Sequence, residues 1–187
     1  MPTEYTKNFE RIVIEVYLKT RTDIDYSEVH YPDPPDCIVK LTDGSKIWIE
    51  VTSVYRNKTL AKNVNSGQCG KMFHEYLGTN SEHRNNLIDK IIEVVKKKES
   101  KQNYKQYVNE YGKGILIAYI DDPLSTPEDL SIVIEKAKTI VMPLANFHSI
   151  FLYIRPVQAS DLVTQQESFL KGFFPIVTTN YKHGQKG

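Results

Sequence analysis

The chain has 187 residues, a formal net charge of +1 at pH 7 and a sequence pI of about 7.7. That length supports one domain with a real core, and the near-neutral balance excludes binding of nucleic acid by overall basicity, so a phosphate-binding surface has to be local. Cys37 and Cys69 are too few for a disulfide framework, the opening MPTEYTKNFE lacks signal-like regions, and no apolar run reaches about 18 residues; the expectation is a cytoplasmic protein with no membrane partner.

The first element is NFERIVIEVYLK, residues 8–19, where Phe9, Ile12, Val13 and Val16 fall at helical spacing. A short strand around EVHY, 28–31, precedes the proline-rich break PDPP, and two strands, CIVKL and KIWIEVTSV, follow around Thr42, Asp43 and Gly44. Residues 56–83 carry scattered Asn and Gly without a period and read as a long loop or weak helix. RNNLIDKIIEVVKKK, 84–98, is an amphipathic helix with Leu87, Ile88, Ile91, Ile92 and Val95 on one stripe. GILIAYID, 114–121, has the length and composition of a buried strand; Thr126-Pro127-Glu128 opens a helix to about Thr139, and SIFLYIRP is a second buried strand. FFPIVTTNY reads as an edge strand and residues 182–187 as a tail. Tyr104, Tyr107 and Tyr111 are expected to cover a helix against the strand at Gly114 with their hydroxyls in water, and Cys69, His74 and His83 lack a recognisable zinc spacing.

The hairpin raises the chemical question, because the apolar strand IWIEV carries Glu50 in its middle. A buried unpaired carboxylate costs several kcal/mol or takes up a proton, so Glu50 needs a cation, a metal or water. Two registers compete. A two-residue turn at Asp43-Gly44 mixes polar and apolar residues on both faces, whereas a three-residue loop with Gly44 left-handed pairs Leu41 with Ser45, Val39 with Ile47, Cys37 with Ile49, and Asp36 with Glu50. Only the second separates the faces, Cys37, Val39, Ile47, Ile49 and Val51 on one and Asp36, Trp48, Glu50 and Thr52 on the other. It also sets two carboxylates opposite each other with Cβ atoms roughly 5 Å apart, an arrangement relieved by a divalent cation between them, by protonation of one of them, or at a solvated sheet end by a nearby Lys or Arg on each; the metal is the simplest of the three. Hard oxygen ligands point to Mg²⁺ or Mn²⁺.

Pro35-Asp36, thirteen intervening residues and then Glu50-Val51-Thr52 after Ile-Trp-Ile, downstream of a Glu-bearing helix and upstream of a helix and an apolar strand, resembles the PD-(D/E)XK nuclease superfamily. The resemblance spans residues 8 to about 121 and implies an α/β restriction-endonuclease-like αβββαβ core with a mixed sheet flanked by helices, here extended by a further helix and strand into one domain with its core over about 8–155. It implies Asp36, Glu50 and the Val51 carbonyl as metal ligands. The first-helix acid of the family maps to Glu10 or Glu15, and Glu10, about 80° from the centre of the apolar stripe, is the better placed. The departure is Thr52, where the family usually has a Lys. Lys40 lies roughly 13 Å along the strand from Asp36, too far to substitute, whereas Lys98 continues the stripe of Ile88, Ile91 and Val95 and is the candidate stand-in. The implied activity is metal-dependent hydrolysis of DNA or RNA phosphodiesters by a site of Glu10, Asp36, Glu50, Thr52 and Lys98. The missing strand Lys keeps a catalytically inactive nucleic-acid-binding or interaction module of the same fold as the alternative, and a homodimer is compatible with either.

Overall fold

The computed structural model describes residues 4–54, 81–120, 127–139, 144–154 and 172–178. The loop expected over 56–83 falls almost wholly outside the described residues, as do the tail at 182–187 and Cys69 and His74. The elements are helix α1 (Glu4–Thr20), strands β1 (Tyr26–His30), β2 (Cys37–Leu41) and β3 (Lys46–Val54), helix α2 (Ser81–Glu99), a 3₁₀ turn (Gln102–Tyr104), helix α3 (Lys105–Tyr111), strand β4 (Gly114–Ile120), helix α4 (Pro127–Lys138), and strands β5 (Phe147–Ile154) and β6 (Phe173–Thr178). The α3 segment was expected only as a tyrosine-bearing cover, and α2 begins three residues earlier than its periodicity indicates.

The six strands form one mixed sheet in chain order, β1 to β6. β1, β2 and β3 are antiparallel, β3, β4 and β5 are parallel, and β6 closes the far edge antiparallel to β5. Parallel neighbours need crossovers, which α2 with α3 and then α4 supply in sequence, and helices over the sheet explain why all of β4 and β5 is buried. No described helix is long and apolar enough to cross a membrane.

The hairpin takes the three-residue loop. Val39 pairs with Ile47 and Cys37 with Ile49, the Leu41 N–H donates to Ser45 O at 2.8 Å, and Gly44 has φ of 84°, a conformation a side chain would strain. The faces separate accordingly. Val39, Ile47, Ile49 and Val51 pack with α1, while Trp48 and Val54 pack with α2 and α4 across Leu116, Ala118 and Ile150.

The apolar stripe of α1 is offset from its expected centre. Val13, Ile14, Tyr17 and Leu18 are buried, Val16 is half-buried and Ile12 is 52% exposed. A period fitted to Ile12, Val13 and Val16 missed that Tyr17 and Leu18 contribute more apolar area, which rotates the helix toward them. The rotation carries Glu10, four residues before Ile14, toward the sheet and leaves Glu15 outside in an ion pair with Arg11 at 3.0 Å.

Candidate functional site

Glu50 sits in the buried stretch of β3 with only 5% of its surface exposed, on the face that carries Trp48. The strand cannot turn it outward, because residues 47–51 are buried on both faces of the sheet and reversing the alternation would only move the carboxylate into the apolar cluster under α1. Its charge is met from α2 and the turn that follows. Lys98 Nζ donates to Glu50 Oε1 at 2.5 Å and Tyr104 Oη donates to the same oxygen at 2.5 Å. Lys98 reaches inward because it extends the buried side of α2 beyond Ile91 and Val95. Tyr104 is fully buried, its ring packed on Trp48 and Phe147, so its hydroxyl is held at Glu50 rather than in water as its aromatic spacing had indicated. Lys101 stands behind it, Nζ 3.4 Å from Tyr104 Oη. Both donors converge on one oxygen. Glu50 Oε2 is buried and accepts no hydrogen bond from the described residues.

Asp36 lies one residue before β2, so the ladder ends at Cys37 and Ile49 without including the expected Asp36–Glu50 pair. Its side chain takes the place of a strand partner: the Val51 N–H donates to Asp36 Oδ2 at 2.7 Å. An extended residue turns its N–H and C=O to the same edge, which directs the Val51 carbonyl to the open edge of β3 where β2 has ended. The neighbouring PDPP segment is tied down by Tyr107, whose hydroxyl donates to Pro34 O at 2.5 Å.

Glu10 is half-buried on α1. Its carboxyl is pushed up to about 7, first by burial and then by the Glu50 charge, with Lys98 opposing. Asp36 is pushed up as well, by burial, then by Glu50 and Glu10, against the lowering effect of the Val51 N–H. The three acids thus feel one another, and the ammonium of Lys98 offsets only part of their charge. Thr52 is half-buried two residues beyond Glu50 on the same face, paired in register with Ala118.

No family model, curated protein or solved structure matches the chain.

A hard divalent cation is consistent with the donor set. Glu50 Oε2 is a buried acceptor with no donor on it among the described residues, Asp36 is partly open to solvent, and the Val51 carbonyl shares the edge that Asp36 meets. Among the described residues no three His, Cys, Asp or Glu side chains surround a common point. One or two carboxylates with water and substrate phosphate are the usual ligation of Mg²⁺, so two carboxylates and a carbonyl meet that need without a full protein cage.

The sequence signal thus brings Lys98 to Glu50 and Asp36 to the backbone of Val51, while Glu10 is coupled to both acids by charge. Tyr104 is the residue that sequence reasoning missed. The only trace of it is the i, i+3, i+6 series Lys98, Lys101, Tyr104, which would have continued the inward side of α2.

Proposed function

We propose that the chain is a metal-dependent nuclease of the PD-(D/E)XK type, hydrolysing phosphodiester bonds of DNA or RNA. The observation that carries the proposal is the Lys98–Glu50 contact, which supplies from a helix the cation that the strand lacks at Thr52. The order α1, β1, β2, β3, α2, β4 supports it too, since it follows the αβββαβ order expected of such a core apart from the short α3 inserted between α2 and β4. So does the meeting of an acid after Pro35 with the strand that bears Glu50.

Asp36, Glu50 and the Val51 carbonyl would hold Mg²⁺ or Mn²⁺, and such an ion lowers the pKa of a bound water and offsets charge on a phosphate. Asp36 is oriented by the Val51 N–H, and Glu50 is held by Lys98 and Tyr104 on one oxygen, so that its second oxygen is the one that would serve as the ligand. Lys98 provides positive charge beside the scissile phosphate, where charge grows in the transition state. Thr52 lies next along the same face and can orient a water or a phosphate oxygen through its hydroxyl. Glu10 shapes the acidity of the pair by its own charge.

One observation favours the inactive module instead: Lys98 and Tyr104 already compensate Glu50 without any added cation. Labelled single- and double-stranded DNA and RNA incubated with purified protein and Mn²⁺ or Mg²⁺ separate the two. Cleavage that Glu50→Gln and Asp36→Asn abolish is the expected result, with Lys98→Ala lowering cleavage by roughly a hundredfold to a thousandfold while binding changes far less. Binding without cleavage of any substrate replaces the nuclease by the module, and thermal stabilisation by Mn²⁺ that Asp36→Asn removes tests the metal separately.

A further inference from the structure

The end of α2 is locked to the start of β5 by a reciprocal set of hydrogen bonds. The Glu99 carboxylate, 9% exposed, accepts from three successive backbone N–H groups: Ala145 at 2.8 Å and Asn146 at 2.9 Å on Oε2, and Phe147 at 3.1 Å on Oε1. In return the Asn146 side chain, 4% exposed, donates through Nδ2 to Glu99 O at 2.7 Å, with longer contacts to Lys101 O at 3.3 Å and Lys98 O at 3.4 Å. These are carbonyls at a helix end, which lack intrahelical partners. Asn146 O also accepts from the N–H of Gly114, the first residue of β4, at 2.9 Å. A carboxylate that binds three backbone N–H groups is strongly held, and here the same chain segment caps the helix that bears it.

The location of the lock gives it a function. The two donors to Glu50 are Lys98 and Tyr104, and the locked positions, 99 and 101, lie between them in the chain. β4, to which the lock is tied, pairs directly with β3, Leu116 lying opposite Glu50. The last turn of α2 is therefore fixed against the strand that carries the acid. Lys98 is long and flexible, and an ammonium free to move would settle between both carboxylate oxygens, whereas here it stays on Oε1 beside Tyr104 and leaves the buried Oε2 without a donor among the described residues.

We propose that Glu99 and Asn146 are positioning residues for the candidate site: by fixing the end of α2 they hold Lys98 and Tyr104 on one oxygen of Glu50 and keep the other available to a cation or a polarised water. The proposal rests on Glu50 being the functional carboxylate, but its test does not require cleavage. Protein with ¹⁵N-lysine gives a Lys98 ammonium signal, assigned by its loss in Lys98→Arg, whose hydrogens exchange slowly because the group is held and shielded. In Asn146→Ala and in the milder Glu99→Gln, both checked as folded by circular dichroism, that exchange is expected to quicken by roughly tenfold or more, the equivalent of about one lost hydrogen bond. Leu18→Ala, on the opposite face of the sheet, destabilises the fold without touching the lock and is expected to leave the signal unchanged. An unshielded Lys98 ammonium in the wild type overturns the proposal, whatever the variants do. So does an unaltered signal in a folded Asn146→Ala or Glu99→Gln, or an equal change in Leu18→Ala. A wild type that cleaves nothing but shows the protected Lys98 signal, lost in both lock variants, overturns only the nuclease reading.

Discussion

Replacing Lys98 by Met removes the ammonium from Glu50 while keeping most of the apolar stem that lies along α2. Glu50, whose side chain is 6% exposed beside Lys98, is then left with Tyr104 as its single donor among the described residues. Breaking a buried ion pair by deleting one partner costs about 3 to 5 kcal/mol, because the remaining charge is left uncompensated. Lys98 is itself 15% exposed and Tyr104 keeps its bond, so the low end, about 3 kcal/mol, is the expected loss. For a chain of this size that is a fall of about 6 to 12 °C in Tm. Urea titration followed by circular dichroism measures it directly. The double variant Lys98→Met with Glu50→Gln removes both charges and is expected to recover most of the loss, which separates the ion pair from the packing of the stem. A Lys98→Met protein within about 0.5 kcal/mol of wild type, the range of ordinary surface changes, would refute the claim that Glu50 is a charged, buried group held by Lys98.

Stability without divalent metal is expected to fall as pH rises. Burial and the Glu50 charge push the Glu10 carboxyl up to about 7 in the fold from its ordinary value of 4.5, so its protonated form favours folding, the contribution is complete below about 4.5 and it is lost as pH rises through 7. Asp36, shifted in the same direction, adds to the fall; Asp36→Asn should flatten a plot of Tm against pH, and an unchanged slope rules out the coupling among the acids. Gly114→Ala places a methyl 2.8 Å from Trp48 Cζ2 and closer still to two other ring carbons; with the ring packed on Tyr104 and Phe147, a loss of about 3 kcal/mol or more is expected in urea denaturation, and a near-neutral effect would mean that Trp48 can move. On α1, Ile14→Ala is expected to cost about 2 to 5 kcal/mol and Ile12→Lys almost nothing, the reverse ranking being the outcome that would put the stripe back on Ile12.

The parts of this protein that the sequence determined by itself are those decided within one turn or one strand pair. Gly44 permits the left-handed residue of a three-residue loop, and the alternation of Ile47, Ile49 and Val51 against Trp48 and Glu50 admits only one register; both are local, so the hairpin and the side of the sheet that Glu50 faces were legible before any coordinates. The same holds for the buried runs of β4 and β5, whose length and composition suit parallel strands covered on both faces.

The remaining features join groups far apart in sequence, whose contacts depend on how whole elements pack. Periodicity brought Lys98 to the inner side of α2 but could not say that its ammonium meets Glu50, 48 residues away. Tyr104 belongs to a 3₁₀ turn whose direction depends on the Glu99–Asn146 lock, and no local pattern distinguishes a tyrosine hydroxyl in water from one on a buried carboxylate. The α1 stripe was misplaced for the same reason: several rotations of that helix offer an apolar face of similar width, and the large surfaces of Tyr17 and Leu18 against the sheet select one of them. Asp36 left the strand and turned onto the Val51 N–H because a backbone donor at the end of a ladder needs a partner, and the nearest acceptor was a side chain that strand register alone would have aimed at Glu50.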